Sequence, residues 1–111
     1  MKFTEWAPGV RLMRSVDDAG LVIEACYSKG VDSALLYAEN LTENFFDLSS
    51  GEAGVILQKL RTYRIRIAVV YSPESVRFSS KFGEMAEEEG RVGYFRLFES
   101  EQAARGWLEV L

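Results

Sequence analysis

Two strand-like stretches, the continuous apolar run Ala34-Leu35-Leu36-Tyr37-Ala38 and Ile65 to Tyr71, which is apolar apart from Arg66, limit most severely what this chain can become. A strand with one face in water alternates apolar and polar side chains. A strand that reads apolar at successive positions is buried on both faces. Between the two runs, Ala53, Ile56, Leu57 and Leu60 fall at i, i+3, i+4 and i+7, which predicts one face of a helix over Glu52 to Tyr63. Strand, helix and strand with short links imply a parallel pair joined by a crossover, with helices covering both sides of the sheet.

The flanking segments extend the pattern. Lys2 to Trp6 and Val10 to Val16, separated by Pro8-Gly9, read as two short strands in a hairpin. Asp17 or Asp18 then caps a helix whose apolar stripe is Leu21, Val22, Ala25 and Cys26, and Gly30 supplies a left-handed terminator. Ser72-Pro73-Glu74 combines a capping hydroxyl, a first-turn proline and an acid near the positive end of the dipole, so a helix is expected to begin there. Its apolar face is Phe78, Phe82, Met85 and Ala86, and Gly90 is expected to end it. Val92 to Phe98 reads as an aromatic-rich strand, and Ser100 caps a last helix that turns Ala104, Trp107, Leu108 and Leu111 inward. The fold class is α/β: one domain over residues 1–111, with a mixed sheet built from an N-terminal hairpin followed by αβαβαβα.

Composition narrows the chemistry. The formal charge is −4, from 13 basic and 17 acidic residues, which argues against a nucleic-acid partner. Lys59, Arg61, Arg64 and Arg66 form a local basic cluster, read as a solvated helix end and strand edge. The single cysteine, Cys26, forms no intramolecular disulfide and suits a reducing, cytoplasmic setting; its place on an apolar stripe reads as a buried thiol. No stretch is apolar enough to span a bilayer, and Met1 to Glu5 lacks the apolar core of a signal peptide, so no membrane partner is expected. Asn40-Leu41-Thr42 matches a glycosylation sequon and is read as chance. The absence of histidine removes Ser-His and Cys-His nucleophile pairs and most zinc sites; no metal site and no cofactor are expected. No phosphate-binding glycine motif appears.

Position and chemistry coincide at Asp47-Leu48-Ser49-Ser50-Gly51. Two hydroxyls sit where the loop after an expected strand becomes a helix. Read structurally, Ser49 and Glu52 form a capping box, and Gly51 and Gly54 permit close helix–sheet packing. Read functionally, Ser50 presents a modifiable hydroxyl at the positive helix end. A phosphate there adds about −1.5 to −2 charges, which the dipole offsets by about 0.3–1 kcal/mol and Asp47 and Glu52 oppose. Phe45 and Phe46, just before the serines, are expected to pack as a lid, with one of them the alternative anchor for a partner. Trp6 is placed to cover a sheet edge or to support a homodimer, and Glu87-Glu88-Glu89 is read as a solvated helix end.

The stretch Asp47 to Leu57 resembles the Asp-Ser-Ser-Gly-Leu-Gly-Val-x-Leu signature of STAS domains, the sulfate-transporter and anti-sigma-factor-antagonist family. In that family the serine before the glycine is phosphorylated by a partner kinase that is also the anti-sigma factor, and Ser50 is the matching position. Relative to the signature, Leu48 is an extra residue, another falls between Gly51 and Gly54, and Glu52 is charged where STAS domains are apolar. The whole chain is also similar to a family of small bacterial domains of unknown function. The shared pattern covers Glu39 to Leu41, Phe45 to Leu48, Ser50-Gly51, Ala53-Gly54 and Ile56 to Lys59.

Three functions follow as expectations. The first is a STAS-like, non-enzymatic interaction module that binds a regulatory protein near Phe45 to Gly51, with Ser50 or Ser49 as the switch. The second is a small-molecule or anion-binding domain at the loop and helix start over residues 39–54, using N–H groups at Gly51-Glu52. The third is an enzyme, for which only Asp47, Glu39 and Tyr37 offer acid–base groups.

Overall fold

The computed structural model describes residues 2–110. Among these residues four strands form one sheet: β1 (Thr4–Glu5), β2 (Ser33–Tyr37), β3 (Arg66–Val70) and β4 (Phe95–Phe98). Four helices alternate with them: α1 (Ala19–Lys29), α2 (Glu52–Thr62), α3 (Ser80–Val92) and α4 (Glu101–Glu109). The strand order is β1-β2-β3-β4 and every pairing is parallel. The α/β class and the αβαβαβα alternation are therefore as the sequence indicates.

Strand periodicity divides the core into two. Ala34, Leu36, Ile67, Val69 and Phe95 join α1, α2 and α3 in one cluster. The alternate residues, Leu35 and Ala68, join Phe3 with Ala104 and Leu108 of α4 in the other. A sequential strand order with uniform crossover handedness places all connecting helices on one face, so α4 is left to cover the opposite one. The α2 stripe Ala53, Ile56, Leu57 and Leu60 is buried as its spacing predicts. In α1 the buried set is Ala19, Val22, Ile23 and Cys26, while Leu21 is 40% exposed, which corrects its place on the stripe by about one position. Leu111, expected on the inward face of α4, lies outside the described residues.

The N-terminal hairpin and the mixed sheet are not formed. Thr4 and Glu5 pair in parallel with Ala34 and Leu35, and residues 10–16 make no strand. Asn40, fully buried, explains this. Its Nδ2 donates to Ala7 O (2.9 Å) and Val10 O (2.6 Å), its Oδ1 accepts from Tyr37 N (2.7 Å), and its own carbonyl accepts from Met13 N (2.9 Å). The backbone groups that a hairpin ladder would use are bound to the loop after β2 instead. Pro8-Gly9 still turns the chain, but into this loop rather than back on β1.

Three boundaries differ from expectation. Asp18 is the N-cap residue of α1, yet its carboxylate accepts from Arg14 N (2.8 Å) rather than from the helix. The helix expected at Ser72 begins at Ser80, because Ser72-Pro73-Glu74 makes a turn and an extended link delivers Phe78 to the aromatic cluster; Ser79 is the cap, its Oγ accepting from Phe82 N (3.2 Å). Gly90 remains helical, and Gly93 at φ 96° ends α3, the left-handed conformation deciding between the two glycines. Gly30 at φ 67° and Ser100, whose Oγ accepts from Ala103 N (3.1 Å), act as terminator and cap as expected.

Asn40→Leu keeps the volume but strips partners from Tyr37 N, Ala7 O and Val10 O. It is expected to lower stability by about 2–4 kcal/mol, read as a fall in the urea midpoint; an unchanged midpoint contradicts the role assigned to Asn40.

Candidate functional site

The residues singled out in the sequence meet at the rim where the carboxyl ends of the strands emerge, in the β2–α2 connection. That connection is not a free loop. It carries 3-10 turns at Ala38–Asn40 and Leu48–Ser50, joined by a further turn over residues 43–46.

Phe45 and Phe46 anchor it. Phe45 is fully buried, with ring centroids 5.2 Å from Phe46, 6.0 Å from Phe82 and 5.9 Å from Phe95. Phe46 is half-buried and stacks on Phe78 at 6.1 Å, with Phe82 and Tyr71 alongside. Both rings pack as a lid. Phe45 is thereby sealed into the core, which removes it from the surface a partner could touch.

Beyond the lid the polar turn closes on itself. The Asp47 carboxylate accepts from Ser49 N (3.1 Å) and Ser49 Oγ (2.6 Å). Ser50 is exposed; its Oγ lies 2.9 Å from Asn44 O and 2.7 Å from Asp47 O, and accepts from Glu52 N at 3.2 Å. The expected Ser49–Glu52 capping box is not formed. Gly51 is the N-cap residue of α2 at φ 76°, and the 3-10 turn before it gives Ser49 to Asp47 and leaves Ser50 to satisfy the Glu52 amide. Asn44 Nδ2 reaches Glu52 Oε2 at 3.5 Å. The two amides expected to be free for an anion are engaged: Gly51 N donates to Leu48 O (3.2 Å) and Glu52 N to Ser50. Tight packing is not the reason for either glycine, since a Cβ at Gly51 or Gly54 meets nothing within 4 Å.

The acid–base candidates do not converge. Tyr37 donates to Glu101 Oε1 (2.6 Å) on the α4 side of the sheet. Burial and that bond push its pKa up to about 12. Asp47 holds Ser49, and Glu39 stands at a separate cavity. Cys26 is buried, and desolvation, with Asp32 adding to it, pushes its thiol up to about 11. Among the described residues no three His, Cys, Asp or Glu side chains gather to hold a metal ion.

The charged patches are largely committed within the fold. Arg61 pairs with Glu89, Arg61 and Arg66 both lie 5.6 Å from the Tyr94 ring centroid, and Lys59 Nζ reaches Asp17 O at 3.5 Å. Glu87 and Glu88 pair with Arg91. Trp6 packs half-buried against the larger core cluster. No helix among the described residues is long and apolar enough to cross a membrane.

Sequence reasoning missed Asn40 and Thr42, which it set aside as a chance sequon. The signal was available in Glu39-Asn40-Leu41, the first block of the pattern shared with small domains of unknown function. The family model described as a domain of unknown function (DUF4180) matches residues 2–108, and the chain belongs to that family. No curated protein and no solved structure matches it.

The two glycines are expected to respond with opposite signs. Gly51→Ala forces a side chain into a left-handed conformation and lowers stability by about 1 kcal/mol, whereas Gly54→Ala, in the open face of α2, raises it by about 0.5–1 kcal/mol. Thermal unfolding of both variants checks the pair; shifts of the same sign contradict the account.

Proposed function

We propose that this DUF4180 chain is a non-enzymatic regulatory module that binds a regulatory protein through the Phe46 to Glu52 turn, with Ser50 as a phosphorylation switch. One observation carries the reading: Ser50 is exposed to a partner, yet its single hydroxyl proton is what faces two carbonyls, Asn44 O and Asp47 O. A partner kinase would move a phosphoryl group from a nucleoside triphosphate to Ser50 Oγ while the hydroxyl proton leaves to the kinase's base. The ester oxygen then has nothing to donate. Two carbonyls remain facing it at 2.7 and 2.9 Å, and the new charge meets Asp47 and Glu52. The α2 dipole returns about 0.3–1 kcal/mol, less than the lost bond and the repulsion together, so the turn must re-form.

The domain itself has no reason to unfold. Phe45 and the α2 stripe hold the connection from beneath, independently of the polar turn. Arg14 lines the same 420 Å³ surface cavity as Ser50, Gly51 and Glu52, and is the cation available to a phosphate on the rearranged turn. Ser49 is the lesser candidate, because its hydroxyl is already held by the Asp47 carboxylate.

The resemblance to STAS domains supports this reading at the serine–glycine motif and in the alternation from α1 onward. It offers nothing at the N-terminus, where the hairpin is missing. On this reading the module works in the bacterial cytoplasm, as monomer or homodimer, with a kinase or anti-sigma-type regulator as partner and no cofactor.

Ser50→Asp, which cannot donate at neutral pH, is expected to unfold in one cooperative transition, to speed amide exchange over residues 44–52 by about tenfold, and to capture a different amount of partner from cell extract than the parent chain. Intact-mass analysis of native protein is expected to find one phosphate, and the Ser50→Ala variant to lack it. Unmodified native protein together with equal capture by Ser50→Asp ends the switch reading.

A further inference from the structure

We propose that a second site, the cavity between the ends of β2 and β3, binds a small protonated organic amine. The cavity measures 320 Å³, at the lower end of the roughly 300–1,000 Å³ typical of ligand sites. It opens outside the carboxyl ends of adjacent parallel strands, where open α/β sheets gather their ligands. It is separate from the Ser50 turn, and of the residues named above for that turn only Phe46 lines it.

Thr42 is what a purely architectural account leaves over. It lines the cavity and is 4% exposed, and its Oγ1 has no hydrogen-bond partner among the described residues. Buried hydroxyls are ordinarily paired, because burial strips the water that would otherwise satisfy them. An unpaired one in a cavity wall is a place for a donor or acceptor from outside the chain.

The surrounding charge selects the ligand. Glu39 and Glu43 line the mouth, both exposed, and no hydrogen bond or ion pair joins either to another side chain among the described residues. Arg11, the one cation in the lining among the described residues, already donates from Nη1 to Leu41 O (2.5 Å). Two carboxylates against one committed guanidinium leave the lining net negative, which attracts a cation and repels an anion. The half-buried Phe46 adds an aromatic surface to the lining, a kind of surface that suits an ammonium group. Ser72 and Ser75, also in the lining, offer hydroxyls to further polar groups. Only two carboxylates meet here, and no metal-binding group forms among the described residues, so the lining fits an ammonium better than a metal ion.

Amide nitrogen–proton correlation spectra of the full chain, titrated with phenethylamine, phenethyl alcohol and hydrocinnamate, separate cation, neutral and anion on closely similar skeletons. Phenethylamine is expected to move the amides of residues 38–46 and 72–76 saturably, the alcohol to bind about tenfold more weakly, and the anion not to bind, the tenfold step corresponding to one ordinary charge-assisted contact. The double variant Glu39→Gln/Glu43→Gln, altered only at exposed positions, is expected to weaken phenethylamine by about tenfold or more. Thr42→Val is expected to raise the Tm of the free protein while weakening the amine. Equal response to all three probes, shifts that map elsewhere, or full affinity in the double variant overturns the proposal.

Discussion

The architecture depends on one buried amide. Asn40 stands just past the end of β2, and with side chain and carbonyl together it binds four backbone groups in two other segments. A buried carboxamide is tolerated only when its donors and acceptors are met. Here both Nδ2 hydrogens and Oδ1 are used. The consequence reaches both ends of the chain's first third: residues 6–13 are drawn across the rim, Met13 enters the larger core, and β1 is left free to pair in parallel at the sheet edge. Arg11 adds a second tie between the same segments through Leu41 O.

The two faces of the sheet are held differently. One carries three helices and a continuous aromatic cluster. The other, among the described residues, carries α4 alone over Phe3, Leu35 and Ala68. That thinner side is supplemented at its edge by Arg105, which bridges Glu5 of β1 and Glu101 of α4, while Glu101 also accepts from Tyr37 of β2. These groups are partly exposed, so each pair contributes little alone. Their joint effect is geometric: three elements share one set of charges.

Much of this was legible in the chain, and the failures have physical causes. The apolar runs at β2 and β3 and the α2 stripe were readable because burial on both faces, or on one helical face, leaves a periodic record. The positions of Gly30 and Ser100 were readable because a left-handed residue and a capping hydroxyl act locally. The hairpin was misread because Pro8-Gly9 specifies a turn without specifying what the turned chain meets, and its partner is 30 residues away at Asn40. Ser72-Pro73 carried a helix-start signal that lost to the aromatic cluster, since starting there would have withdrawn Phe78 from Phe46 and Tyr71. At the candidate site the motif's position was legible but its bonding was not. Which serine caps, and whether the amides stay free, depends on the left-handed Gly51 and the 3-10 turn before it, and no spacing rule encodes either.

The strictly sequential order β1-β2-β3-β4 bears on how the molecule comes into being. Each strand finds its neighbour already made, so during synthesis the sheet can widen by addition at one margin, with no late insertion between strands laid down earlier. Only α4 breaks that progression, because it returns to the bare side and touches β2, β3 and β4 together. Until α4 docks, Leu35 and Ala68 lack their helical cover, and the sheet is packed by helices on one face.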